Sequence, residues 1–119
     1  MSTTFVIQPG QFKLSDLRAI WKSPVKLALA ESAHAAINES SATIDRIVAK
    51  GDAAYGINTG FGKLAKTRIP DEDLELLQKN LILSHSVGSG ELISDEVVRL
   101  IIAMKIASLA RGFSGIRAS

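Results

Sequence analysis

The sequence contains no cysteine and only two histidines, His34 and His85. The absence of cysteine excludes disulfides, thiolate nucleophiles and cysteine-ligated zinc, and it is typical of proteins of a reducing compartment. With two histidines, a metal site would depend mostly on carboxylates, and we expect no metal site. We therefore predict a cytoplasmic protein whose chemistry uses neither thiols nor a resident metal ion.

An excess of charge of one sign is also missing. Fourteen basic and 12 acidic side chains give a net charge of +2, and the lysines and arginines are spread from Lys13 to Arg117 without a run. A nucleic-acid-binding surface needs clustered cations to neutralise phosphates. The sequence therefore predicts no nucleic-acid partner.

Long hydrophobic runs are missing as well. The N-terminal residues MSTTFVIQPG lack the cationic start and the apolar core of a signal peptide. The most apolar stretch, from Val97 to Ala110, has 14 residues and is interrupted by Arg99 and Lys105. A membrane span needs about 20 apolar residues, so we predict no membrane partner. At 119 residues, the chain forms one domain or a piece of a larger one.

Hydrophobic periodicity predicts a mainly α-helical fold with short β-strands near its start. Residues 5–7 run into the turn pair Pro9-Gly10, and we predict a hairpin with the alternating residues Phe12 and Leu14. A second strand is predicted at residues 25–29. The predicted helices are a short one from Ser15 that ends before Pro24, a long one from Ser32 to Lys50, one from about Asp71 to His85, and one from Ser94 to about Arg111.

The last of these helices has no broad polar face. At 100° per residue, Arg99, Lys105 and Arg111 lie roughly 120° apart around its axis, and apolar side chains fill the space between them. A helix that is apolar all round belongs in the middle of a bundle. We therefore expect packing partners that the 119 residues do not supply.

Between the second and third helices, residues 51–70 contain no helical repeat and are punctuated by Gly56, Gly60 and Gly62. Ordered loops of this length are uncommon, and they are usually functional. The residues from Gly60 to Ala65 match the dinucleotide pattern G-x-G-x-x-A, but Pro70 leaves no room for the helix that the pattern requires. A phosphate-binding Walker A loop is excluded because Leu64 follows Gly62-Lys63.

Tyr55 lies at the start of this glycine-rich loop. A single loop tyrosine more often packs its ring on the core, but three nearby glycines allow the backbone to bend and to aim a side chain at a ligand. His85 lies four and eight residues after Leu81 and Leu77, which places it on the buried apolar stripe of its helix rather than on the solvated face. An ordinary buried histidine with satisfied ring nitrogens is the alternative for His85. We interpret His34 as solvated and without a function.

Three segments carry a resemblance that extends over nearly the whole chain: YGINTGFG, LQKNLILSHSVGSG and MKIASLARGFSGIR. At this spacing they resemble the N-terminal part of the histidine ammonia-lyases, within the ammonia-lyases that use a methylideneimidazolone group. The resemblance implies that residues 1–119 are a single N-terminal domain, or a fragment, of a larger, mostly helical enzyme. It also implies a homotetramer that removes ammonia from L-histidine to give trans-urocanate, the first step of histidine degradation.

The resemblance also implies roles for two side chains. The tyrosine of the first segment is the family's catalytic acid or base and falls on Tyr55, and the histidine of the second contacts the substrate side chain and falls on His85. Ser84-His85 resembles the enzymes that act on histidine. The nearest alternative is a phenylalanine or tyrosine ammonia-lyase, or an aminomutase.

One element of the family pattern is absent. The family makes its methylideneimidazolone electrophile from an internal Ala-Ser-Gly, and no such tripeptide occurs in the 119 residues; the closing Ala118-Ser119 supplies only two of the three. We therefore expect this chain alone to be inactive. A small helical interaction module without chemistry is the alternative from a different class.

Overall fold

The structure, a computed structural model, describes residues 4–118; Ser119, the second member of the closing Ala118-Ser119 pair, lies outside them. It confirms the predicted mainly α-helical fold with short strands near the start. The elements, in chain order, are β1 (Thr4–Ile7), α1 (Leu14–Lys22), β2 (Lys26–Leu29), α2 (Ala33–Lys50), two 3-10 turns (Gly62–Leu64 and Asp71–Asp73), α3 (Leu74–His85) and α4 (Asp95–Leu109).

The two strands pair with each other in parallel, in a register that sets Thr4 opposite Lys26 and Ile7 opposite Leu29. The predicted hairpin after Pro9-Gly10 is therefore wrong. Parallel strands cannot be joined by a tight turn, and here α1 lies in the connection between them.

Local contacts explain why the residues after the turn do not form a strand. The Lys13 N–H donates to the Asp16 carboxylate over 2.8 Å, a contact that starts α1 at Leu14. Phe12 packs its ring edge against Phe5 of β1, with centroids 5.7 Å apart, without joining the sheet. The alternation of Phe12 and Leu14 thus reflects the approach to a helix.

The C-terminus of α1 is bound by a side chain from α4. The Nε and Nη2 atoms of Arg99 donate to the carbonyl oxygens of Ile20 and Trp21 over 3.1 and 2.9 Å. The last carbonyls of a helix have no partner within it and carry the negative end of its dipole. The guanidinium group of Arg99 donates hydrogen bonds to these carbonyls and places a positive charge at the negative end of the dipole. Arg99 therefore fixes α1 against α4.

The apolar core of the described residues is built largely from small side chains. Its buried side chains are Ile7, Ile20, Ala30, Ala33, Ile37, Ala103, Ala107 and Ala110. Gly112, at a φ of +75°, lies so close to α2 that an added Cβ would be 2.6 Å from the carbonyl group of Ala36. Small side chains at these positions allow the backbones to approach one another closely.

On α4, full burial is confined to Ala103 and Ala107, and several of its larger side chains remain open to solvent. Ile101, Ile102 and Met104 are each about half exposed. Among the described residues, nothing covers Ile101, Ile102 and Met104. No helix among residues 4–118 combines the length and the apolar character that crossing a membrane requires.

The chain divides into two compact units. One contains the described residues up to Ala42 together with those from Leu92 onward, and it holds the sheet, α1 and α4. The other is Thr43–Glu91, with its first boundary inside α2. This second unit contains the glycine-rich loop and α3, and both residues of interest, Tyr55 and His85, belong to it.

Candidate active site

The loop that follows α2 is closed by backbone contacts between its two halves. Gly51 ends the helix at a φ of +76°. Thr59 and Arg68 form an antiparallel bridge, and the Gly60 N–H donates to the Thr67 carbonyl over 3.0 Å. The loop is therefore an ordered segment that turns back on itself, with one short 3-10 turn at Gly62–Leu64.

The centre of this loop is polar. Asn58 and Thr59 are essentially inaccessible to solvent, with exposures of 0% and 1%. The Asn58 side-chain oxygen accepts from the Ala54 N–H over 2.7 Å, and its amide nitrogen donates to the Asp52 carbonyl over 2.9 Å. A buried amide is costly unless both its donor and its acceptor are satisfied, and here both are.

Tyr55 lies inside the segment that these bonds enclose. Gly56, which follows it, has a φ of +78°, a conformation that glycine adopts without the steric cost of a Cβ. The Tyr55 side chain is 67% exposed, and its ring meets that of Phe61 edge to face, with centroids 5.8 Å apart. The loop thus holds a phenol at its surface with its ring in contact with the Phe61 ring.

His85 is the last residue of α3, and it is exposed. The prediction that it lies on a buried stripe is wrong for the described residues. Leu74, Leu77 and Leu81 do share one face of α3, but each is only partly buried. Periodicity identifies the face that is apolar, whereas burial depends on what packs against it.

The imidazole of His85 has a defined orientation. Its Nδ1 atom lies 2.8 Å from the Leu81 carbonyl oxygen and 3.1 Å from the Ser84 hydroxyl. A carbonyl oxygen only accepts, so Nδ1 carries the proton at the shorter contact, and Nε2 of the neutral ring is an acceptor. His85 can therefore offer a hydrogen-bond acceptor to a ligand N–H.

A glutamine connects α3 to the tyrosine loop. The Gln78 Nε2 atom donates to the Gly56 carbonyl over 3.4 Å, a long bond. Gln78 and His85 are seven residues apart, so they lie on the same face of α3, about 10 Å apart along its axis. Tyr55 and His85 are thus carried by segments in contact, although no hydrogen bond or ring contact joins the two side chains within residues 4–118.

Sequence reasoning missed three residues that build this arrangement. Asn58, Phe61 and Gln78 were not singled out, although Asn58 has a signal in the sequence. Asparagine next to glycines often bonds to nearby backbone groups and replaces a turn. The contacts of Phe61 and Gln78 connect positions whose proximity depends on the folded loop, and the sequence carries no local sign of them.

Three further features considered in the sequence are the dinucleotide pattern, His34 and a metal site. A 3-10 turn of three residues, Gly62–Leu64, stands where a dinucleotide site would need a long helix. His34, predicted to be solvated, is half-buried on α2. In the part of the chain that the structure describes, no group of three or more histidine, aspartate or glutamate side chains could hold a metal ion.

Comparison with known proteins decides the family. A sequence model of the aromatic amino acid lyases matches residues 12–119. The chain belongs to the aromatic amino acid lyase family. Among its curated relatives are the histidine ammonia-lyases of Salmonella typhimurium, 58% identical over 116 residues, and of Salmonella heidelberg, 57% identical over the same length. The chain spans 23% of the length of these relatives, and the match covers 98% of the chain.

Solved structures support the same assignment of fold. The histidine ammonia-lyase of Trypanosoma cruzi matches with a TM-score of 0.85 and 35% identity, over 98% of this chain and 23% of its own. An ergothionase from Treponema denticola matches with a TM-score of 0.89 and 21% identity, over 97% of this chain and 23% of its own. The tyrosine aminomutase of Streptomyces globisporus matches with a TM-score of 0.85 and 23% identity, over 98% and 22%. At their identities, the last two establish the fold alone.

Proposed function

We propose that the protein carrying this chain is a histidine ammonia-lyase, which eliminates ammonia from L-histidine to give trans-urocanate. The observation that carries the proposal is the arrangement of unit Thr43–Glu91. An ordered glycine-rich loop exposes Tyr55, and the helix that ends at His85 is hydrogen-bonded to that loop through Gln78. The family membership and the identity to histidine ammonia-lyases support the choice of reaction.

Tyr55 is proposed to transfer the proton. The β-hydrogen of an amino acid is barely acidic and ammonia leaves poorly, so the elimination needs a positioned acid or base. The exposed phenol of Tyr55 is the one hydroxyl that the loop directs to its surface beside a supporting ring, that of Phe61. A positioned group of this kind contributes about 10²- to 10⁴-fold in rate, so other groups must supply the rest.

His85 is proposed to recognise the substrate side chain. With Nδ1 donating to the Leu81 carbonyl, the Nε2 atom is left to accept a hydrogen bond. The neutral imidazole of L-histidine carries one ring N–H, which suits that acceptor. Phenylalanine has no such donor, and this difference favours histidine over phenylalanine. The phenol of tyrosine also carries a donor, so the choice of histidine over tyrosine rests on the identity to histidine ammonia-lyases.

The methylideneimidazolone group is part of the proposal. When present, it supplies the electrophile that activates the amino acid for loss of ammonia. The 119 residues contain no Ala-Ser-Gly from which to make it, so the proposal assigns it to polypeptide outside them. The Tyr55 phenol fits a site beside such a group, because Tyr55 is 67% exposed and thus open to a reaction centre outside its own loop. The homotetramer and the cytoplasmic location implied by the resemblance remain predictions.

Three substitutions in the intact protein test the two roles. Tyr55→Phe removes only the hydroxyl, and we expect kcat for urocanate formation to fall by about 10²- to 10⁴-fold. His85→Gln should raise KM for histidine more than it lowers kcat, because it removes a contact to the substrate. His34→Gln, the matched control, should change neither constant. Full turnover by Tyr55→Phe would refute the role of Tyr55, and an unchanged KM in His85→Gln would refute that of His85.

A further inference from the structure

Asn58 makes four hydrogen bonds around the loop that carries Tyr55. Its side chain accepts from the Ala54 N–H and donates to the Asp52 carbonyl, at 2.7 and 2.9 Å. Its own N–H donates to the Ala54 carbonyl over 3.1 Å, and its own carbonyl accepts from the Ile69 N–H over 2.9 Å. Tyr55 is the residue directly after Ala54, inside the ring that these bonds close.

Burial fixes the hydrogen bonds of the Asn58 side chain. Asn58 is 0% exposed, so its amide cannot exchange its partners for water without opening the loop. The same residue connects the start of the loop to Ile69, just before the turn that leads into α3. The position of the Tyr55 backbone therefore depends on the Asn58 amide.

We propose that Asn58 is a positioning residue, which holds the Tyr55 phenol at the distance that proton transfer requires. This inference rests on the proposed role of Tyr55. A displacement of about 1 Å in a reacting group can cost about 10²-fold in rate. We call the two Asn58 side-chain hydrogen bonds, to Ala54 and Asp52, the Asn58 clamp. Its loss should therefore lower kcat, while substrate recognition by His85 is retained.

The sharpest variant is Asn58→Asp, which has nearly the same shape. One carboxylate oxygen can still accept from the Ala54 N–H, but the other faces the Asp52 carbonyl and cannot donate while the group is ionised. In the intact protein we expect kcat to fall by about 10²-fold with KM little changed. The deficit should shrink as the pH is lowered, because a protonated carboxyl regains a donor. Asn38→Asp, at an exposed position on α2, is the control for the added charge and should leave kcat unchanged.

The outcomes separate this inference from the proposed function. If Tyr55→Phe loses activity while Asn58→Asp keeps the kcat of the wild type, Asn58 does not position Tyr55 and the inference is overturned. If Tyr55→Phe retains activity, the proposed function of Tyr55 fails first. A measurement on the wild type guards against a variant that does not fold. Amide hydrogen exchange should be slow at Ala54, and rapid exchange there would refute the clamp.

Discussion

The rings of Tyr55 and Phe61 meet edge to face, with centroids 5.8 Å apart and planes inclined by 71°. Such a pair is worth about 0.5–1.5 kcal/mol beyond the area that it buries. For a side chain that is two-thirds exposed, this contact limits the positions open to the ring. The exposed phenol is thus oriented by a neighbour within its own loop.

Replacing Phe61 should release the Tyr55 ring. Phe61→Leu keeps an apolar side chain but removes the ring contact, so we expect Tyr55 to sample more orientations. Tyr55 is the only tyrosine of the 119 residues, so labelling with isotopic tyrosine gives one set of ring signals in this chain. Those signals should shift and narrow in Phe61→Leu. Phe12→Leu, which removes the contact with Phe5, serves as the control. Identical Tyr55 spectra in wild type and Phe61→Leu would contradict the conclusion that Phe61 limits the orientations of the Tyr55 ring.

A methyl group at Gly60 should destabilise the loop. An added Cβ would lie 2.6 Å from Leu64 Cβ and 2.9 Å from the Leu64 carbonyl oxygen, and Gly60 has no positive φ, so the cost is steric. We expect Gly60→Ala to lower the free energy of unfolding by about 1–3 kcal/mol in urea titration. At Gly88 an added Cβ would meet no atom within 4 Å, so Gly88→Ala should change the free energy of unfolding by less than about 0.5 kcal/mol. Equal losses at the two glycines would argue against the close approach.

Removing the guanidinium group of Arg99 should loosen α1 from α4. Arg99→Met keeps most of the side-chain packing but loses both bonds to the carbonyls of Ile20 and Trp21, and we expect a loss of about 1–3 kcal/mol in the free energy of unfolding. Its 3.9 Å ion pair with Glu96 is partly exposed and adds little. Lys105→Met, on the exposed part of the same helix, is the control. The assignment fails if both substitutions have the same effect.

The start of α4 should contribute a pH-dependent stability. A hydrogen bond from its own backbone N–H, then one from the Ser94 hydroxyl, lowers the pKa of Glu96, and Arg99 adds to the effect. Because the folded pKa is the lower one, the contribution is fully present above the ordinary value of 4.5 and is lost as the pH falls through the folded value. Urea titrations of the wild type and Glu96→Gln should therefore differ at neutral pH and converge in acid. The exposed Glu91→Gln is the control, and a gap that persists at low pH would contradict this linkage.

The open face of α4 should bind an apolar probe in the 119-residue chain. Ile101, Ile102 and Met104 are 54%, 50% and 53% exposed, and neighbouring exposed apolar side chains bind hydrophobic dyes or associate. The double variant Ile101→Gln and Met104→Gln should reduce the dye signal, while Lys105→Gln should leave it unchanged. A monomer that unfolds cooperatively and binds no dye would favour a small independent helical module instead.

Local signals along the chain were enough to predict the helices and their ends. The repeat from Ser32 to Lys50 and the glycine after it are local signals, and α2 spans Ala33–Lys50 as predicted within one residue. The glycine spacing around Tyr55 likewise identified a bent, ordered loop, because backbone freedom is a property of the residue itself.

Local signals did not predict which distant segments pair with each other. The parallel pairing of β1 with β2 joins residues 22 positions apart, and no local pattern separates it from a hairpin. The exposure of His85 and the clamp by Asn58 depend in the same way on what lies opposite each side chain. Periodicity assigns a residue to one face of its element, but contact between faces is a property of the folded chain.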